Sequence, residues 1–154
     1  MDIKALLPRP HVLLHLVTAP RRDLLRQLAA PLVAEGLVTD AERFLDDLER
    51  REDQITTQIR KDVALPHTRS DGVRRLAFGV GVADGDGLLY DPASGPHCRV
   101  LFLIAVPAMA PTAHLPLLQH LVHFATDHRR LLKLAAATTP AQVVSLLAAY
   151  KGPK

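Results

Sequence analysis

Arg51-Glu52-Asp53-Gln54-Ile55-Thr56-Thr57-Gln58-Ile59-Arg60-Lys61-Asp62-Val63-Ala64-Leu65-Pro66-His67-Thr68-Arg69 is the stretch on which the reading of this chain turns. A polar, cationic, hydroxyl-bearing run leads into a short apolar piece, Val63 to Leu65. Pro66 keeps the residue before it out of the helical region, so this piece is expected to be extended. His67 follows at the strand's end, and strand ends are favoured places for ligands and reactive groups in sheet proteins. Arg51, Arg60, Lys61 and Arg69 could surround an anion brought to His67. Taken alone, the pattern reads first as an exposed loop histidine among cations, and the rest of the chain has to decide.

Downstream, Leu76 to Val82 reads as a strand, Asp84-Gly85-Asp86-Gly87 as a turn and Asp91 to Pro96 as a loop. Arg99 to Val106 is almost continuously apolar, the mark of a strand covered on both faces. Helical spacing returns over Ala113 to Thr126, with Pro116 tolerated in the first turn, and over Asp127 to Ala136. Thr139-Pro140-Ala141-Gln142 has the form of a capping box and starts a last helix. Upstream, His11 to Val17 is expected to be a strand. Arg21 to Glu35 is expected to be a helix that Pro31 kinks or splits and Gly36 closes. Thr39-Asp40-Ala41-Glu42 forms another capping box, opening a helix that presents Phe44, Leu45 and Leu48. The strands cluster mid-chain, which excludes a regular doubly wound fold. The expected class is α/β (α+β): a three-layer sandwich, a central mixed β-sheet with helices on both faces. Residues 1–150 are expected to form a single domain, with 151–154 as a C-terminal tail.

Composition narrows the function. The 154 residues carry 48% apolar and 23% charged side chains and a formal net charge of +3, ordinary for one globular domain. No apolar run is long enough for a membrane helix, and the N-terminus, with Asp2, Lys4, Pro8 and Pro10, lacks the form of a secretory signal. A single cysteine, Cys98, fits a reducing compartment and excludes cysteine-based zinc sites. Tryptophan is absent and aromatics are 4%, which argues against stacking platforms for nucleic acid. The alternating charges of Asp46-Asp47-Leu48-Glu49-Arg50-Arg51 read as a solvated helix face. His11 and His15, four apart, would share one face of the expected strand, but neither that pair nor His120 with His123 and Asp127 makes a known metal signature, so no metal and no cofactor are expected. Phosphate-loop, dinucleotide and serine-elbow motifs are missing.

The 51–69 segment resembles the signature of the fructose/mannitol-type and nitrogen-regulatory enzyme IIA domains of the bacterial phosphotransferase system. Arg51 and Glu52 match its R-E pair, Thr57 its threonine, Ala64-Leu65-Pro66-His67 its core without a gap, and Arg69 its basic residue. Leu89-Tyr90-Asp91, Gly95-Pro96, the apolar run from Val100 to Pro107, His114-Leu115 and the closing Thr-Pro-Ala-Gln helix extend the likeness over nearly the whole chain. The chain departs from the pattern at Gln58, Arg60 and Asp62, where glycines are common, and at Thr68, where a small residue is usual.

The resemblance implies a phosphoryl carrier. His67 would be the acceptor, His114 its neighbouring histidine, Arg51 and Arg69 phosphate-binding groups and Thr57 a hydroxyl near the site. A neutral imidazole offers a free ring nitrogen near pH 7, and phosphoryl transfer asks mainly for positioning and charge stabilisation. The donor implied is an HPr-type phosphocarrier protein. The recipient is a sugar-specific IIB domain, or else the phosphorylation state itself signals to a regulatory target. The lack of a fused IIB or membrane domain inclines the expectation to the regulatory branch, and the compartment expected is the cytoplasm. The missing glycines keep open a different class: a IIA-like regulatory binding module that no longer transfers phosphate.

Overall fold

The computed structural model describes residues 1–153; of the predicted tail, Lys154 lies outside the described residues. Five strands form one mixed sheet: β1 Val12–Leu16, β2 Val63–Ala64, β3 His67–Ser70, β4 Ala77–Ala83 and β5 Val100–Pro107. The order is β1-β4-β5-β2, and β3 also pairs with β5. β4 and β5 are antiparallel; the other pairings are parallel. Six helices surround the sheet: α1 Ile3–Leu6, α2 Arg21–Ala34, α3 Ala41–Gln54, α4 Leu115–Ala125, α5 His128–Ala135 and α6 Pro140–Ala149.

β5 explains why two helical layers are needed. Its residues are all buried, and alternation divides them between two cores. Val100, Phe102, Ile104 and Val106 join Leu117, Leu121, Leu131, Val143 and Leu147 from α4, α5 and α6. Leu101, Leu103 and Ala105 join Leu24, Leu28, Phe44 and Leu48 from α2 and α3. This is the expected three-layer sandwich. On β4, Gly81 allows α2 to sit close: a Cβ there would meet Leu28 Cδ2 at 2.7 Å and Leu16 Cδ1 at 2.5 Å.

Several local expectations are corrected. α2 runs through Pro31 as one helix. Pro31 forfeits its own amide bond, and the fully buried Leu28 and Leu32 anchor the helix on both sides of it. The cap of α3 is Asp40, whose carboxylate accepts from the Arg43 amide; Thr39 instead donates its amide and its hydroxyl to the Gly72 carbonyl. His11 and His15 do not share a strand face. His11 closes a tight turn, Arg9–His11, and is buried, while His15 has φ of 63° at an irregularity in β1 and is exposed. The Thr139 cap is as expected, accepting from the Gln142 amide, with Pro140 opening α6.

Candidate active site

β2 and β3 lie on the same edge of β5, one after the other. Val63 and Ala64 pair with Val100 and Leu101, and His67 to Ser70 pair with Ile104 to Pro107. The break falls at Leu65-Pro66, where the proline has no N–H to give the ladder. The Pro66 carbonyl still accepts from the Ile104 amide at 3.0 Å. The Leu65 carbonyl turns to a different donor, the Nδ1–H of His67, at 2.6 Å. A carbonyl can only accept, so the proton sits on Nδ1. Nε2 is left as the free lone pair of a neutral ring.

His67 opens β3, a strand absent from the sequence reading, and borders a cavity of about 620 Å³. The C-terminal half of α3 supplies Asp47, Arg50, Arg51 and Gln54 to its wall. β3 supplies Thr68, Arg69 and Ser70, and the segment after β5 supplies Ala108, Pro111, His114 and Leu115. His114 stands at the N-cap position of α4, its side chain making no capping bond. Its ring centroid lies 5.9 Å from that of His67, and its Nδ1 is buried with no hydrogen-bond partner. Arg51 donates from one terminal nitrogen to the Ile55 carbonyl at 2.9 Å. Arg69 is exposed at the rim.

Both histidines are held below the ordinary value near 6.5. For His67 burial is the main cause, and Arg51 adds to it, against the Leu65 hydrogen bond and Glu52, which pull upward. For His114 burial again comes first, followed by His67 and Arg69. The pair is therefore suited to stay neutral, and a neutral imidazole is the nucleophilic form.

Of the five residues singled out in the sequence, four line this cavity: His67, His114, Arg51 and Arg69. Thr57 does not. It is buried, its amide donates to Glu52 Oε1 at 3.1 Å, and its hydroxyl has no partner. The residues standing where the signature has glycines are used elsewhere. The Gln58 amide bridges the Lys61 carbonyl and the Asp91 N–H. Asp62 accepts from His128 Nδ1 at 2.8 Å, and with Arg60 it lines a separate groove. Only Thr68 of the four departures reaches the cavity.

Sequence reading passed over Asp47 and Ser70. Ser70 Oγ donates to Asp47 Oδ2 at 2.7 Å, and Arg50 donates to Oδ1 at 2.9 Å, which ties α3 to β3 beside His67. The signal was present in the spacing of Arg43, Asp47, Arg50 and Gln54, one helical face that read as solvated. His120, weighed as a metal ligand, instead faces the Leu147 carbonyl through Nε2 and packs on Tyr150. Asp127 caps α5.

The family model described as "Phosphoenolpyruvate-dependent sugar phosphotransferase system, EIIA 2" matches residues 5–150. Among characterised proteins, the chain is 28% identical over 149 residues to the PTS system 2-O-alpha-mannosyl-D-glycerate-specific EIIABC component of Escherichia coli (strain K12). That match covers 96% of this chain and 22% of the relative, so the chain spans about a fifth of that protein's length. Among solved structures, the nitrogen regulatory protein IIA-Ntr of Neisseria meningitidis superposes with a TM-score of 0.81 at 22% identity, covering 94% of this chain and 98% of that one. The enzyme IIA of the Escherichia coli complex between IIAMtl and phosphorylated IIBMtl superposes at 0.74 with 20% identity, covering 92% and 96%. At these identities the likeness to the solved structures is one of fold.

Proposed function

The chain belongs to the EIIA 2 family of the phosphoenolpyruvate-dependent sugar phosphotransferase system, and we propose that it carries a phosphoryl group on Nε2 of His67. The observation that carries this reading is the bond from His67 Nδ1–H to the Leu65 carbonyl, which leaves Nε2 bare at a cavity bordered by arginines. In the transfer, the Nε2 lone pair forms a bond to phosphorus while the bond from phosphorus to the donor's nitrogen breaks, and that nitrogen keeps the pair. No proton has to leave His67, because Nε2 carries none. Arg51 and Arg69 stabilise charge on the equatorial oxygens, and a guanidinium presents the fork that phosphate accepts. His114 stands close enough to donate to a phosphoryl oxygen.

The donor is an HPr-type phosphocarrier protein. The recipient is a IIB domain, as in the complex of the structural neighbour, or a regulatory target. The working unit is residues 1–150 and the compartment is the cytoplasm. No helix of the described residues is long and apolar enough to cross a membrane, which accords with this reading. The reading as a binding module without transfer rested on the missing glycines, and three of those four positions stand off the cavity.

Incubation with phosphoenolpyruvate, enzyme I and HPr, followed by intact mass, tests the proposal. Wild type is expected to gain one acid-labile phosphoryl group and His67→Ala none. No gain in a folded wild-type protein with an active donor overturns it in favour of the binding module.

A further inference from the structure

Glu52 is a buried carboxylate with no part in the steps above. It is 5% exposed, on the last turns of α3. One of its oxygens accepts the Thr57 amide at 3.1 Å. The Thr57 carbonyl then accepts the Leu65 amide at 3.1 Å, and the Leu65 carbonyl accepts His67 Nδ1–H at 2.6 Å. Three hydrogen bonds thus run in series from one carboxylate to the reactive ring. The first two links cross between segments, from the end of α3 to the loop after it and from that loop to the break between β2 and β3; the third turns within that break to the ring.

A buried carboxylate is costly unless something needs its charge. Around Glu52 stand the buried Tyr90 phenol, which burial and then Glu52 push toward the neutral form, and the Cys98 thiol, which burial and Asp62 push the same way with Glu52 adding least. Arg51 is its neighbour on α3, and Arg51 and Glu52 act on His67 in opposite senses; Arg69 acts on the neighbouring His114, which it helps keep neutral. The Tyr90 phenol and the Thr57 amide are neutral donors, which a neutral side-chain oxygen would also satisfy. A His67 ring phosphorylated on Nε2 needs an anion, because with Nδ1–H retained the ring is formally cationic.

The geometry points to Glu52 as a positioning residue for phosphoryl transfer, which anchors Thr57 and Leu65 so that His67 keeps its proton on Nδ1, and whose charge balances the ring once Nε2 is bonded to phosphorus. This rests on the carrier reading above for its purpose, but not for its geometry.

Two variants separate the two parts. Glu52→Gln keeps an oxygen for the Thr57 amide and removes the charge. Glu52→Asp keeps the charge and shortens the reach. Nitrogen-15 NMR of the imidazoles reads tautomer and titration of His67 directly, without any donor protein. In Glu52→Gln the Nδ1–H tautomer is expected to persist, with the His67 midpoint moved to lower pH and the phosphohistidine hydrolysing faster. In Glu52→Asp the Nε2–H tautomer is expected to appear, and uptake from HPr to slow by about tenfold or more at unchanged HPr affinity, since a misplaced reacting group costs rate rather than binding. A pure Nδ1–H tautomer in the Asp variant together with an unmoved midpoint in the Gln variant overturns the assignment. Wild type that takes up no phosphoryl group would remove the carrier reading, while the tautomer comparison would still decide the role of Glu52.

Discussion

The imidazole of His67 stands between influences of opposite sign, and burial prevails over the Leu65 carbonyl and Glu52. The sign has a consequence for the pH profile. A lowered value keeps the nucleophilic form in place on the acid side of 6.5, so the rate of phosphoryl uptake is expected to stay level through that value and to fall only below it. A profile whose acid limb turns over at or above 6.5 would contradict this. Stability follows the same sign: the contribution of the neutral ring is present above the unfolded value and is lost as pH falls through the folded one. Cys98 offers a second check. Burial pushes its thiol up to about 12, so a thiol-specific reagent at mildly alkaline pH is expected to leave the native protein unlabelled and to label it fully in denaturant. The histidine itself was legible, because Ala64-Leu65-Pro66-His67 is a distinctive run. Its tautomer was not, because a main-chain oxygen sets it.

α3 and β3 are held together beside the cavity by Ser70 and Asp47. Ser70→Ala removes a donor from a buried carboxylate, which costs about 1–3 kcal/mol, measurable by urea unfolding; phosphoryl uptake is expected to slow as β3 loosens. An unchanged unfolding midpoint would mean that Asp47 is satisfied by Arg50 and Arg43 alone. These two elements also mark where sequence reading succeeds and where it stops. α3 was plain from Phe44, Leu45 and Leu48. β3 was invisible, because His67-Thr68-Arg69-Ser70 has no apolar alternation, and it is a strand only because β5 lies alongside. β5 was plain from its unbroken apolar run, and with it the need for helices on both faces. The start of α3 misled by one residue because Thr39 and Asp40 are both good caps, and a distant carbonyl, Gly72, claimed the first.

The sheet divides the molecule into two cores that share β5 and β4. Phe102 is fully buried on the side of α4, α5 and α6, its ring 6.1 Å from that of Phe78. Phe102→Ala is expected to cost about 3–5 kcal/mol, lowering the melting temperature far more than any substitution at the rim of the cavity. A shift no larger than that of a rim variant would mean that the two cores melt independently. The edge of the sheet where β2 hands over to β3 has a different vulnerability. The seat of His67 is cut into the main chain, by the gap at Leu65-Pro66 and the pairing of His67 with Ile104. The side chains of Gln58, Arg60 and Asp62 can be exchanged without touching it, because none of them lines the cavity. Chain length cannot: one residue inserted or deleted between Val63 and His67 would swing the histidine to the opposite face of the sheet. At those three positions the site therefore tolerates misspelling far better than miscounting.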